Sequence, residues 1–236
     1  MSLTYRIADA LFDAHPHYCR GVAVFDQADN RLRAGWLHDD LEAVHRQLRE
    51  TVQGNVAEHP RVASWREAYR RFGAKPAEHR SSIEAMLRRV LKPDRIPSIN
   101  PLVDLGNLVS LQQVLPAGVH PWPDGLQSVE LRLAAPGDVF RPADGGPDEA
   151  PPAGEVVFVA GTEVLTRRWT WRQAAGTQTL PDTRRVFFNI DGLPPTPREA
   201  VDAALQQVLQ QVQAHGLARL LGSGVLHAGC RSLSFG

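Results

Sequence analysis

Three polar residues inside an otherwise greasy segment are the first place where this chain could do chemistry. Residues 99–115 read INPLVDLGNLVSLQQVL, and Asn100, Asp104 and Asn107 fall at spacings of four and three. On a helix that spacing puts them on one stripe. The rest of the segment is apolar on almost every side, which marks a buried helix. A polar group in such a position needs a partner or costs roughly 1–3 kcal/mol. The stripe therefore either bonds neighbouring backbone and holds loops in place, or floors a polar pocket. Gly106 costs about 1 kcal/mol against alanine inside a helix. Its presence predicts a close approach of another backbone or a ligand.

A second chemical stretch is RRWTWRQAAGTQT, residues 167–179. On a strand, Trp169 and Trp171 face one way and Arg168 and Arg172 the other. Aromatic and guanidinium groups in turn can stack bases and grip phosphates. The same pattern also describes a tryptophan core pair with solvated arginines. Charge adds to the first of these readings. The chain is formally neutral, yet residues 61–95 hold ten basic residues against four acidic ones. A local excess of that kind suits phosphates or another acidic surface, and equally a set of solvated helix faces.

Other chemistry is weaker or excluded. Asp13, His15, His17 and Cys19 alternate, which on an extended strand could bind zinc. No second ligand cluster follows, and no metal site is expected. Cys19 and Cys230 have nothing local to activate a thiol, and two cysteines make no disulfide framework. The sequence has no nucleophile elbow, phosphate loop or dinucleotide fingerprint. That removes most kinase, nucleotidase and dehydrogenase readings. No run of eighteen apolar residues exists, and the N-terminus lacks an apolar signal core, so a cytoplasmic location is expected.

Several elements must position these residues. Residues 5–8 and 21–25 suit short strands, and Asp39-Asp40 opens a helix with Leu41, Val44, His45 and Leu48 on one face. A second helix covers 62–72 and ends at Gly73. Ser81 and Glu84 form a capping-box pattern ahead of Ile83, Met86, Leu87, Val90 and Leu91, and Pro93 stops that helix. A linker, residues 94–98, leads to Asn100, which can cap the buried helix, with Pro101 at its first position. Beyond Pro116 the pattern turns to strands at 129–133, 156–160, 163–169 and 186–190, with a turn-rich stretch at 135–154. Thr196 to Glu199 opens a last helix that ends at Gly216. The segment after it is ambiguous. Helices, then strands, then one helix favour an α+β fold.

The ordered runs RRFGAKPAEHRSSIEAMLRRVL, IPSINPLVDLGNLVSLQQVLP, GDVF, PAGEVVF, WTWRQAAGTQT and DTRRVFFNIDGL resemble one known family. It is the tRNA-editing (B-three/B-four) module of the phenylalanyl-tRNA synthetase beta subunit, here in free-standing form. The resemblance covers about residues 66–193. It implies a central, mostly antiparallel sheet flanked by helices, with residues 61–236 as the editing-type domain and 1–60 as strands and a helix packed on it. It implies hydrolysis of mischarged aminoacyl-tRNA in trans, with no metal or organic cofactor, no membrane and no DNA. The shared pattern survives as Asn100, Val103, Asp104 and Asn107. Where the synthetases carry an arginine, a histidine and a glutamate, this chain has Pro97, Gly118 and Gln173, with His120 two residues from the histidine position. The implied catalytic set is Asp104, Asn107 and Gln173, holding a water. Asn100, Trp171, Arg172 and Thr177 bind substrate, with Arg172 or backbone amides at the oxyanion. Arg70, Lys75, Arg88 and Arg89 hold tRNA phosphates. The alternative is a non-catalytic module that binds tRNA or an amino-acid-like ligand in the same pocket.

Overall fold

Two strands, buried along their length except for Asp26 at the end of one, sit at the centre of the molecule. They are β2, Cys19–Asp26, and β8, Val186–Gly192. Both are apolar runs long enough to be covered on two faces. In this computed structural model, residues 2–31, 34–92 and 96–236 are described. Pro93, Asp94 and Arg95, named above as helix stop, linker start and basic residue, lie outside them.

β2 and β8 pair antiparallel inside a four-stranded sheet, between the edge strands β3 (Ala117–Pro121) and β9 (Arg219–Leu226). A six-stranded sheet runs β10 (Ser232–Phe235), β1 (Leu3–Ile7), β4 (Ser128–Leu133), β5 (Val156–Ala160), β6 (Glu163–Arg167) and β7 (Arg172–Gln173). Every neighbouring pair is antiparallel except β1 with β4. The α+β fold with mostly antiparallel pairing holds, with the strands divided between two sheets. The first two strands of the chain serve one sheet each.

The sheets face one another through aromatic rings. Tyr5 stacks on Phe158 at 5.4 Å and meets Phe187 of the other sheet edge-on at 5.9 Å. Helices cover the outer face of the four-stranded sheet. α6, Arg198–Ala214, packs so tightly that a Cβ on Gly192 would lie 2.4 Å from Val201. α5, Pro101–Gln113, lies against β3, where a Cβ on Gly106 would come within 3.0 Å of a Val119 methyl. The close approach at Gly106 is thus a strand side chain. α2 (Gly35–Thr51), α3 (Pro60–Arg71) and α4 (Ser82–Val90) complete the helical layer. On the far side of the six-stranded sheet, Phe140, Val157, Val159, Val164 and Ala174 form a second small core under the turn-rich stretch.

Three local expectations need correction. Asp13 lies in a short helix, α1, Asp9–Ala14, so the Asp13-to-Cys19 alternation is not a strand face. Residues 168–171 do not extend β6: Arg168 and Trp169 have φ of 46° and 65°, a left-handed turn. The ambiguous tail forms β9 and β10, each paired into a sheet.

Candidate functional site

The gap between the sheets opens beside edge strand β3 as a cavity of about 250 Å³. Its floor comes from strand register. Arg20 and Asp191 are direct partners across β2 and β8. Directly opposed antiparallel residues project to one face, so the pair meets in the gap. Arg20 Nε donates to Asp191 Oδ1 at 2.6 Å and Nη2 to Oδ2 at 3.1 Å, a bidentate bond. Tyr18 also donates to Asp191, Arg20 Nη1 donates to the Tyr5 hydroxyl at 2.7 Å, and Tyr5 donates to Asn189 Oδ1 at 2.7 Å. Burial pushes both tyrosine pKa values up. Burial works most strongly against the charge of Arg20, but Asp191, Tyr18 and Tyr5 together outweigh it and the guanidinium pKa is raised.

His120, on β3, stands on the same wall. Its ring stacks on Phe187 at 5.3 Å and meets Phe158 at 5.4 Å. Burial, helped by the Arg20 charge, lowers its pKa to about 3, so the imidazole is neutral at physiological pH. The Gln173 amide nitrogen lies 3.3 Å from each ring nitrogen and donates to Val119 O at 3.1 Å. Gln173 arrives there by register: Phe158, Thr166 and Gln173 are cross-strand partners over β5, β6 and β7, and all three line the cavity.

The left-handed turn sets the opposite wall. The buried Glu155 carboxylate binds Arg167 through Nε and Nη2, both at 2.8 Å, and accepts the Arg168 backbone N–H at 3.4 Å. This draws the chain into a curl at the end of β6. Trp169 then turns inward against Trp65 and Tyr18, and Trp171 is left at the cavity with the Arg168 guanidinium 4.3 Å above its ring. The two tryptophans therefore do not share a strand face. Arg172 follows, half-buried, and pairs with Asp144 at 2.7 Å.

Among the residues expected from sequence, Asn107, Trp171, Arg172 and Gln173 line this cavity, as do Gly118 and His120. Asn100, Asp104 and Thr177 do not. Asn100 Oδ1 accepts from the Val103 N–H at 3.0 Å as the cap of α5, and its Nδ2 donates to Thr179 O. Asp104 accepts from Ile99 N at 2.9 Å and from the Ser98 hydroxyl, which pins the segment before the helix. Thr177 donates to Ala174 O at 2.8 Å within its own turn. Pro97 is exposed and off the cavity. The polar stripe thus splits: two residues bond neighbouring backbone, and the third faces the cavity.

The basic residues divide as well. Arg88 donates to the buried Glu84 at 3.0 Å, beside Arg66 at 2.8 Å. Arg70 and Lys75 are exposed and paired with Glu67 and Glu78. Arg89 is exposed and lies one and two turns beyond Met86 and Ser82, which line the cavity. Helical periodicity puts it on that same face, at the rim.

Sequence reasoning missed Arg20, Asn189 and Asp191. The signal was present in FFNID, where Asn189 and Asp191 share parity with Phe187 inside an otherwise apolar strand. Among the described residues no group of three or more His, Cys, Asp and Glu side chains is arranged to hold a metal ion, and no helix is long and apolar enough to cross a membrane.

Residues 64–215 match the B3/4 domain family. No curated protein matches the chain. Among solved structures, it is similar to an N-terminal fragment of the phenylalanyl-tRNA synthetase beta-subunit from Pyrococcus horikoshii, at 12% identity and a TM-score of 0.45. The likeness covers 94% of this chain and 50% of that one, so the chain spans about half the length of that fragment.

Proposed function

We propose, from the premise that this chain belongs to the B3/4 domain family, that it hydrolyses the ester of a mischarged aminoacyl-tRNA, acting on tRNA in trans in the cytoplasm. One observation supports this most. Asn107 from a helix, Trp171 from a distant turn, and Arg172 and Gln173 from the short strand after it converge on one open cavity. The acting unit is the whole chain, because residues 1–60 bring Arg20 to the floor.

The ester is already activated, so holding a water against the acyl carbon supplies much of the rate. Asn107 has no side-chain partner among the described residues, and none of them donates to Gln173 Oε1. These two carboxamides hold the water. His120, with a pKa of about 3, is too weak a base to take its proton at neutral pH. The ribose hydroxyl beside the ester relays it instead. The water oxygen bonds to the acyl carbon, the bond from that carbon to the ribose oxygen breaks, and the proton passes to the departing oxygen. Free amino acid and uncharged tRNA result. Trp171 gives a face for the terminal base, and Arg89 and Arg172 hold phosphates at the rim.

A deacylation assay over a panel of aminoacyl-tRNAs tests this reading. Faster clearance of at least one ester than in buffer is expected, and clearance of none overturns it. A second reading, a non-catalytic module that takes tRNA or an amino-acid-like ligand, is favoured by the neutral His120 and by Gly118 and Gln173, which stand where the resemblance implies titratable groups. Tight binding with no turnover selects it.

A further inference from the structure

Asn189 and His120 both reach the cavity beside Gly118, a residue with no side chain. Gly118 lies directly opposite Asn189 in the β3/β8 register, and His120 is two residues on, so all three share one sheet face. A Cβ on Gly118 would sit 3.6 Å from His120 Nε2. The missing side chain therefore leaves a slot beside the imidazole, on the sheet face that Asn189 shares. Asn189 spends Oδ1 on the Tyr5 hydroxyl, and its Nδ2 has no acceptor among the described residues. Gln173 Nε2 stands 3.3 Å from both His120 ring nitrogens, and neither nitrogen has an acceptor among the described residues; in the tautomer with Nδ1 unprotonated the imidazole presents its N–H at Nε2, the nitrogen nearest Gly118. The carboxylate beside them is already engaged: both Asp191 oxygens serve Arg20, and Oδ1 also serves Tyr18.

We propose that the Gly118 slot is an oxygen-acceptor site, in which Asn189 Nδ2 and the His120 ring N–H hold the carbonyl oxygen of the ester and the negative charge it gains during attack. This rests on the ester-hydrolysis reading above. Both side chains are only 4% exposed, and each is locked by a second bond or ring, Asn189 by Tyr5 and His120 by Gln173 and Phe187. Donors fixed in place before the reaction, in a site poor in water, act most strongly on charge that develops later. Asp191 cancels the charge of Arg20, so the floor carries no fixed surplus to trap an anion in the ground state.

Two variants and one binding measurement test it. Asn189→Asp keeps the acceptor for Tyr5 and replaces the donor with an oxygen. Gly118→Ala puts a methyl in the slot at an ordinary contact distance. Each is expected to lower kcat by about 100- to 1,000-fold, with KM changed by less than about 3-fold. Thermal unfolding identifies a variant that loses activity only by failing to fold; Gly118→Ala is the one expected to keep its Tm. In parallel, the Asn189 side-chain amide and His120 ring signals are followed by NMR as an amide-linked, non-hydrolysable aminoacyl-adenosine is added. Both signals should shift in the wild type and not in Gly118→Ala. If the wild type clears esters and folded variants keep kcat within about 3-fold, the slot proposal is overturned and the hydrolysis reading stands. If no ester is cleared but the analogue moves both signals, the slot stands as a binding site and hydrolysis falls. An analogue that binds without moving either signal overturns the slot.

Discussion

Two carboxylates lie deep in this molecule against bidentate arginines, Asp191 with Arg20 and Glu155 with Arg167. The chemistry of the two pairs is the same, and both arginines are almost wholly buried. What differs is where each network leads. The Asp191 network runs through Tyr5 to Asn189 and ends in donors that face an open cavity. The Glu155 network runs to the Arg168 backbone and, through Arg167, to Glu149, and so ties the end of β6 to the turn-rich stretch. One pair is the floor of a cavity and the other pins a turn. A buried ion pair therefore says little about function until its next neighbours are known.

The comparison can be broken most directly at the arginines. Arg20→Met and Arg167→Met each strand a buried carboxylate and should each cost about 3–5 kcal/mol in chemical denaturation. Replacing both partners of a pair, Arg20→Met with Asp191→Leu or Arg167→Met with Glu155→Leu, should recover much of that loss. The first double variant should lose ester hydrolysis altogether; the second, whose pair acts on the cavity only through the turn that carries Trp171, should lose part of it. Equal loss in a folded second double variant would end the division between floor and pin.

Acid titration sharpens the floor side. The folded-state pKa of His120 lies near 3, below its ordinary 6.5, so the unfolded chain takes up the proton first as pH falls. The stability this group contributes is whole above about pH 6.5 and is lost as pH drops toward about 3, at up to roughly 1.4 kcal/mol per pH unit. His120→Phe should flatten that fall in urea midpoints measured from pH 7 to pH 4. An unchanged slope would mean that another group dominates the acid limb.

A smaller contrast lies within α5. Asn100→Ala removes a cap and should cost about 1 kcal/mol, with little change in chemistry beyond that loss of stability. Asn107→Ala removes a side chain with no protein partner and should stay within about 0.5 kcal/mol, while deacylation slows. At the rim, Arg89→Ala and Arg172→Ala should leave Tm almost unmoved. Each should reduce the slope of log affinity for tRNA against log salt by about 0.7–0.9. Arg88→Ala should instead lower Tm, because Arg88 serves Glu84.

Much of this was open to reading. The cap at Asn100, the Ser81 cap on the Glu84 N–H and the buried stripe of α5 are local, and short-range sterics and hydrogen bonding govern them. The curl at Arg168 and Trp169 was not legible, because non-glycine residues adopt left-handed backbone only where the surroundings enforce it. Here the enforcing group is Glu155, at the foot of another strand. The tail after Gly216 escaped for a related reason. β9 is half-exposed and glycine-bearing, with little periodicity of its own, and gains its form from pairing with β2.

By itself, the sequence determined the secondary elements with strong periodicity, the α+β class and the family, and it singled out Asn107, Trp171, Arg172 and Gln173, which line the cavity. Only the tertiary structure decided that Asp104 and Thr177 serve their own backbone, and that Arg20, Asn189 and Asp191 share a floor with His120. The physical reason is the range of the interactions. Helix caps and turns act over three or four residues, whereas the floor is assembled by strand register between residues about 170 positions apart, Arg20 with Asp191.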